Sequence, residues 1–224
     1  MITRHAVTAT TILVFGLSSI LALAQTPPSG AELAAYRGLH AASAAGDADA
    51  VKRASKAELN AQDAKGRTPL HVAAFQGKAA VAEALIAAGA DPAILDSERY
   101  DAVTIAAVRD DVATLRALLA AGASAKLITS RYDGTALIAA AHLGHPEVVK
   151  ALIEAGAPLD HVNNLGWTAL IEAVILGDGG RRHVETVRAL VQAGARRDIG
   201  DRQGVTPLQH AKARGYTDIV AILQ

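Results

Sequence analysis

The chain has 224 residues with 22 basic and 22 acidic side chains, so no net charge favours nucleic acid or another strongly charged partner. The absence of cysteine excludes disulfide bonds and thiol nucleophiles. Apolar residues make up 51% of the chain but aromatic residues only 3%, a composition typical of closely packed, alanine-rich helices rather than of one large aromatic core.

The first 24 residues have the features of a secretory signal. Arg4 and His5 precede an apolar run from Ile12 to Leu23, and the small-residue motif A-L-A ends at Ala24. The alternative is an uncleaved membrane anchor, but the run is shorter than the roughly 20 residues that cross a bilayer. We therefore expect cleavage after Ala24, a periplasmic or secreted protein, and no membrane attachment of the mature chain.

A proline- and glycine-containing stretch, QTPPSG, opens the predicted linker at residues 25–34. After it, the phrase GRTPLHVAAFQGKAAVAEALIAAGADP at 66–92 recurs in modified form along the chain. The spacings between the glycines that end successive copies are 33, 34 and 38 residues; these glycines are Gly89, Gly122, Gly156 and Gly194. A period of this length is the signature of a repeat architecture.

Each copy predicts a helix, a tight turn, a second helix and an extended loop. A threonine precedes the first helix as its expected N-cap, and proline follows it in two units; these residues are Thr68, Thr135, Thr168, Thr206, Pro69 and Pro207. Two such short helices cannot bury their apolar faces alone, so the units must stack. The predicted units are 35–62, 63–95, 96–129, 130–162, 163–200 and 201–224.

The third unit departs most from the pattern. Asp101 stands where threonine is expected, and Arg109 and Asp110 replace the turn that contains glycine. We expect its first helix to be less well capped than the others.

The T-P-L-H phrase, the period near 33 and the G-A-D ending resemble the ankyrin repeat, and the resemblance covers nearly all of the chain after the signal. It implies a mainly α solenoid of about six helix-turn-helix units with extended loops, without enzymatic activity. It also implies that His40 and His71, at the histidine of the phrase, form structural hydrogen bonds between loops.

No catalytic or metal-binding constellation stands out. His142 and His145 form H-x-x-H, but zinc ligands on a helix are usually four residues apart, and a turn glycine separates these two. No serine lies in a G-x-S-x-G context. We expect no cofactor, no metal ion and no catalysis.

The resemblance places loop tips and first helices on a concave, partner-binding face. Arginine and aromatic side chains are enriched at interface hot spots. The predicted partner contacts are Arg67, Phe75, Tyr100, Arg109, Arg131, Tyr132, His142, Trp167, Leu176, Arg202 and Arg214. Trp167 with Tyr132 is the expected anchor for a protein partner. The alternative is that bulky loop-tip side chains only brace neighbouring loops.

The stretch ILGDGGRRHVETV at 175–187 makes the fifth unit five residues longer than a standard one. Its glycines suggest a phosphate loop, but no strand precedes it and no Lys-Ser or Lys-Thr pair follows. Asp178 is expected to cap the second helix. Asp178, Arg181 and Arg182 are candidate contacts for a partner, and a plain turn is the alternative.

Three functions follow from these observations. The leading hypothesis is a monomeric, non-enzymatic scaffold that binds a protein in the periplasm, as an inhibitor, an immunity factor for a toxin or an accessory of an enzyme. The second is a binder of small anions at residues 177–183. The third is a passive repeat array.

Overall fold

The computed structural model describes residues 25–224, so the predicted signal at 1–24 lies outside the described residues. They form fourteen helices: α1 Gly30–Ala35, α2 Gly38–Ala45, α3 Ala48–Val51, α4 Lys56–Leu59, α5 Pro69–Phe75, α6 Ala79–Ala87, α7 Ala102–Val108, α8 Val112–Ala120, α9 Ala136–His142, α10 Pro146–Glu154, α11 Ala169–Ile175, α12 Arg181–Gln192, α13 Pro207–Arg214 and α14 Thr217–Leu223. Within this part of the chain, none is long and apolar enough to span a membrane.

The helices form two layers, as the repeat pattern predicts. The first helices of the units, α2, α5, α7, α9, α11 and α13, pack side by side in one layer, and the second helices, α3, α6, α8, α10, α12 and α14, form the other. Apolar side chains between the layers make one continuous core, in which Leu85, Leu118, Leu152 and Leu190 are completely buried. The mainly helical solenoid is therefore confirmed.

The loops between units hold each other through backbone hydrogen bonds. The Ser97 amide donates to the Lys65 carbonyl at 3.0 Å, and the Asn164 amide donates to the Tyr132 carbonyl at 2.9 Å. The expected histidine bonds are also present, because ring Nε2 of His40 lies 2.9 Å from the Arg67 carbonyl oxygen. The loops thus form a ladder along one edge of the solenoid.

His71 fits this ladder only when its ring is neutral. Its Nδ1 accepts the Thr68 backbone N–H at 3.1 Å, and its Nε2 lies 2.9 Å from the Tyr100 carbonyl oxygen. One nitrogen must accept while the other donates, which assigns the neutral Nε2–H tautomer. Burial lowers the pKa of His71 to about 4.

The third unit is better capped than its sequence suggests. Oδ1 of Asp101 accepts the backbone N–H of Thr104 at 3.0 Å, so aspartate caps α7 as threonine does elsewhere. Asp110 adopts the left-handed conformation, with a φ of 57°, where other units use glycine. The expectation of a poorly capped helix was wrong, because aspartate is among the best N-cap residues and also tolerates positive φ.

The predicted linker at 25–34 contains the start of a docked helix, α1. Ser29 and Glu32 form a reciprocal capping box at its start. At its end, the Tyr36 hydroxyl donates to Oδ2 of Asp63 at 2.7 Å. Composition alone indicated a linker, but these contacts tie the segment to the second repeat.

Arg67, predicted as an exposed partner contact, is buried beneath α1. Its side chain is only 2% exposed, with Nε 2.7 Å from Oδ2 of Asp63 and Nη2 2.5 Å from Oε1 of Glu32. Hydrogen bonds from Ser29, and then from Arg67, lower the pKa of Glu32 to about 2. Burial opposes ionisation of Asp63, but hydrogen bonds from Tyr36 and Arg67 overcome it and lower the pKa of Asp63 to about 2.

The last repeat is a partial exception to the buried core, since no further unit covers it. Leu208 is half-buried, whereas the equivalent Leu170 is 1% exposed. We expect Leu208→Ala to lower the free energy of unfolding by about 1–2 kcal/mol, below the roughly 2–5 kcal/mol of a fully buried leucine. Urea denaturation of this variant beside Leu170→Ala measures the difference, and equal losses would contradict the end-cap role of α13 and α14.

Candidate functional site

A cavity of about 120 Å³ opens on the first-helix side of the third, fourth and fifth units, and we call it the groove cavity. Its walls combine apolar surface with hydroxyl, amide and carboxylate groups; the lining residues are Gln25, Tyr100, Thr104, Val108, Thr129, Ser130, Tyr132, Gly134, Thr135, Ile138, Ala139, His142, Leu143, Asn163 and Glu172. Drug-sized ligands need cavities of roughly 300–1,000 Å³. The groove cavity is therefore the size of a socket for one side chain.

Glu172 is the charged group in its wall. This carboxylate sits in the middle of α11 and is 1% exposed. Oε1 accepts Nδ2 of Asn163 at 2.8 Å, and Oε2 lies 3.1 Å from Nδ1 of His142. Two partners hold the carboxylate, and the remaining lone pairs are available to a further donor.

Sequence reasoning missed Glu172 although a signal was present. Its neighbours in TALIEAVI are apolar, and the equivalent positions in the second, third and fourth units are Val72, Ile105 and Ala139. An acidic residue at such a core position rarely goes unpaired. The loop asparagine nine residues before it, Asn163, is the partner that the repeat register supplies.

Hydroxyl groups also line the cavity. Oγ1 of Thr104, on α7, and Oγ1 of Thr129, on the loop between α8 and α9, lie 3.2 Å apart. Tyr132 is half-buried at the rim, with its backbone amide held by Oγ of Ser130 at 3.2 Å. Hydroxyls donate and accept, so this wall can pair with a polar group of either kind.

The structure brings together three of the predicted partner contacts at this cavity: Tyr100, Tyr132 and His142. Tyr100 is only 5% exposed, and burial raises its pKa to about 12. Phe75 is 3% exposed. The expectation that Phe75 and Tyr100 are exposed contacts was wrong, because both side chains pack into the core between neighbouring units.

The other predicted contacts lie outside the groove cavity. Trp167 and Leu176 are half-buried, while the arginines among them are exposed: Arg109, Arg131, Arg202 and Arg214. Two of these arginines reach the preceding unit, since Arg202 donates to the Asn164 carbonyl and Arg214 donates to the Ile175 carbonyl at 3.1 Å. These two predicted partner contacts thus also hold neighbouring units together.

The glycine-rich insertion at residues 177–183 forms hydrogen bonds with other units. Nη2 of Arg182 lies 2.5 Å from Oδ2 of Asp110, and its Nε donates to the Gly144 carbonyl at 2.8 Å. On the other side, the Tyr216 hydroxyl donates to the Gly177 carbonyl at 3.0 Å. Gly179 has a φ of 70°, and a β-carbon there would clash with the Tyr216 ring. Close packing against the last unit therefore requires this glycine.

The charged groups of the insertion are also engaged. Nε of Arg181 lies 2.8 Å from Oε1 of Glu185. Asp178 accepts from the Gly180 amide and from His183, and the N-cap of α12 is Gly180, so the predicted capping role of Asp178 was wrong. Arg181 and Arg182 are therefore both paired with carboxylates, and this pairing does not favour the anion-binding hypothesis.

Comparisons with known proteins agree with this architecture. The sequence profile described as ankyrin repeats (3 copies) matches residues 39–129 and 103–195. The ankyrin repeat protein YahD of Escherichia coli (strain K12) is 34% identical over 181 residues, which span 80% of this chain and 90% of YahD.

Two solved structures extend the comparison. An ankyrin repeat domain from Acinetobacter baumannii AYE is 43% identical, with a TM-score of 0.76 over 83% of this chain and 95% of that one. A structure of the predatory endopeptidase Bd0816 of Bdellovibrio bacteriovorus in complex with the immunity protein Bd3460 contains a chain that is 25% identical, with a TM-score of 0.68 over 84% of this chain and 97% of that one.

Proposed function

Because the chain belongs to the ankyrin repeat family, a scaffold typical of protein–protein interaction, we propose that it is a non-enzymatic protein that binds a protein partner through the groove cavity and its rim. The observation that carries the proposal is the socket of about 120 Å³ at the centre of the first-helix face. A socket of this size, ringed by Tyr132 and Leu143, is suited to one anchor side chain of a partner.

The proposed location is the periplasm, because residues 1–24 have the features of a secretory signal. The complex of an endopeptidase with an immunity protein, among the related structures, makes inhibition of a toxin or a peptidase a reasonable role for this chain. The proposed form is a monomer after cleavage at Ala24.

An affinity experiment with matched variants tests the proposal. The chain is immobilised and exposed to periplasmic extract, beside Leu143→Glu in the groove cavity and Lys150→Glu on α10, the exposed outer helix of the same unit. We expect one stoichiometric protein on the wild type and on Lys150→Glu but not on Leu143→Glu. Equal capture by all three, or capture lost only with Lys150→Glu, would place the interface elsewhere.

Trp167 is the proposed second anchor, at the loop tip beside the cavity. Its backbone is fixed by Asn163, whose Oδ1 accepts the Trp167 amide at 3.0 Å. With a purified partner, Trp167→Ala should weaken binding by about 2 kcal/mol, as truncation of an aromatic hot spot does. Titration calorimetry gives the change in Kd. An unchanged Kd would contradict the anchor role, and a lowered unfolding temperature beside it would show that this indole braces neighbouring loops instead.

A further inference from the structure

The first five described residues, 25–29, lie on the groove, and we call them the strap. Gln25 lines the groove cavity itself. The backbone N–H and the hydroxyl of Thr26 donate to the two carboxylate oxygens of Glu98, at 3.2 and 3.1 Å. Pro28 is buried, and Ser29 caps α1. The strap is thus an extended segment seated where the proposed partner binds.

The contacts of the strap and of α1, which follows it, run along the solenoid axis. Glu32 and Tyr36, on and after α1, hold the second unit through Arg67 and Asp63. Thr26 holds the third unit, and Gln25 reaches the cavity between the third, fourth and fifth. The groove therefore accepts an extended chain that crosses successive units, and it presents carboxylates at two points of the path.

Gln25 is a poorly satisfied part of the cavity wall. Both its side-chain oxygen and its side-chain nitrogen are buried, and neither has a hydrogen-bond partner. A buried amide without partners costs free energy relative to its hydrated state. In the same cavity, the Glu172 carboxylate keeps unused lone pairs, and the strap side chain brings it no opposite charge.

These observations point to a cationic preference. We propose that the groove binds an extended protein segment whose lysine or arginine side chain enters the groove cavity and pairs with Glu172, and that the strap is a weaker, built-in competitor for the same path. This inference rests on the proposed function and specifies the chemistry of the partner. An arginine satisfies both the carboxylate and the hydroxyl wall of Thr104 and Thr129, because it carries five N–H donors.

The strap itself provides the test, since no partner is needed. In the purified full chain, Gln25 is replaced by arginine, methionine or glutamate, all long and unbranched. Hydrogen exchange of the Thr26 backbone amide, which donates to Glu98 in the seated strap, is followed by NMR and reports how often the strap leaves the groove. Gln25→Arg should slow exchange by about tenfold, the size of a charge-assisted hydrogen bond. Gln25→Glu should accelerate it.

The methionine variant separates charge from the loss of an unpaired amide. If Gln25→Met slows exchange as much as Gln25→Arg, or if Gln25→Arg has no effect, the cationic preference is overturned. Adding Glu172→Gln to Gln25→Arg should abolish the gain, and persistence of the gain in a folded double variant would overturn pairing with Glu172. The strap variants need no change in the core, so the comparison stands even where Glu172→Gln unfolds.

A failure here is distinct from a failure of the proposed function. The Gln25 variants measure only which side chain the cavity binds best. The affinity experiment with Leu143→Glu and Lys150→Glu measures where a partner binds. Protein capture at the groove without a preference for Gln25→Arg would retain the proposed function and reject the cationic anchor. The reverse pattern would retain the cationic socket and reject a protein partner at it.

Discussion

Arg67→Ala is expected to lower the free energy of unfolding by about 3–5 kcal/mol, because removing one partner of a buried ion pair leaves uncompensated charge. Asp63 and Glu32 both lose the guanidinium that they share, and Asp63 is itself largely buried. Urea denaturation measures the loss. We also expect faster hydrogen exchange across residues 25–36, since α1 is held by the same network.

Arg116→Ala is the matched control. Its guanidinium lies 3.0 Å from Glu154, but both side chains are more than half exposed. Surface pairs of this kind contribute about 0–1 kcal/mol. If Arg67→Ala destabilises the chain no more than Arg116→Ala does, the network around Arg67 does not hold α1 to the second unit.

The stabilisation that this network contributes is also expected to be lost over a defined range of acidic pH. The pKa values of Glu32 and Asp63 are about 2 in the folded chain, against 4.5 and 3.8 for the unperturbed groups. Because folding lowers both values, the stabilisation is complete above pH 4.5 and is lost as the pH falls from 4.5 to 2. The difference between wild type and Arg67→Ala should shrink over this range.

Protonation of His71 is expected to cause the second large loss of stability, at a higher pH than protonation of Glu32 and Asp63. Its pKa of about 4 lies below the unperturbed 6.5, so folding favours the neutral ring, and stability is lost as the pH falls from 6.5 to 4. The difference corresponds to about 3 kcal/mol between pH 7 and pH 4. Protonation makes Nδ1 a donor and breaks its bond with the Thr68 amide.

The last unit supplies the control for this prediction. There Gln209 replaces the histidine, and its Oε1 accepts the Thr206 backbone N–H at 2.8 Å in the same capping geometry. His71→Gln should keep the cap without a titrating group. Urea titrations between pH 7 and pH 4 should therefore show a shallower loss for His71→Gln than for wild type. Parallel profiles would contradict the assignment of a neutral His71.

The repeat period was sufficient to predict the solenoid, the number of units and the threonine caps. These features depend on residues within one unit or between equivalent positions of adjacent units. The bond between His71 and the Tyr100 carbonyl, 29 residues away, is of this kind. A regular register makes such contacts predictable from sequence alone.

Contacts that break the register could not be predicted. Arg67 is buried because Glu32, outside the repeat pattern, covers it. The strap reaches Glu98 from a position 72 residues earlier, and Arg182 reaches Asp110 from 72 residues later. Neither separation is one repeat. Long-range contacts of this kind turned a predicted linker into a docked segment and a predicted loop contact into a brace.

The candidate site was predicted only in outline. Aromatic and arginine enrichment favoured one face, but it gave equal weight to Tyr132, which lies at the rim, and to Phe75, which is in the core. Glu172 was overlooked because apolar periodicity describes α11 without it. The available signal was an acidic residue at an apolar position of the helical pattern. That residue lies in the wall of the groove cavity.

Site-specific photocrosslinking tests the central claim most directly. A photoreactive amino acid is placed at Leu143 in the groove cavity or at Lys150 on α10, in cells that naturally express the chain. Irradiation should attach a partner protein at position 143 and not at position 150. No protein adduct at 143, or the same adduct from 150, would contradict a partner bound in the groove.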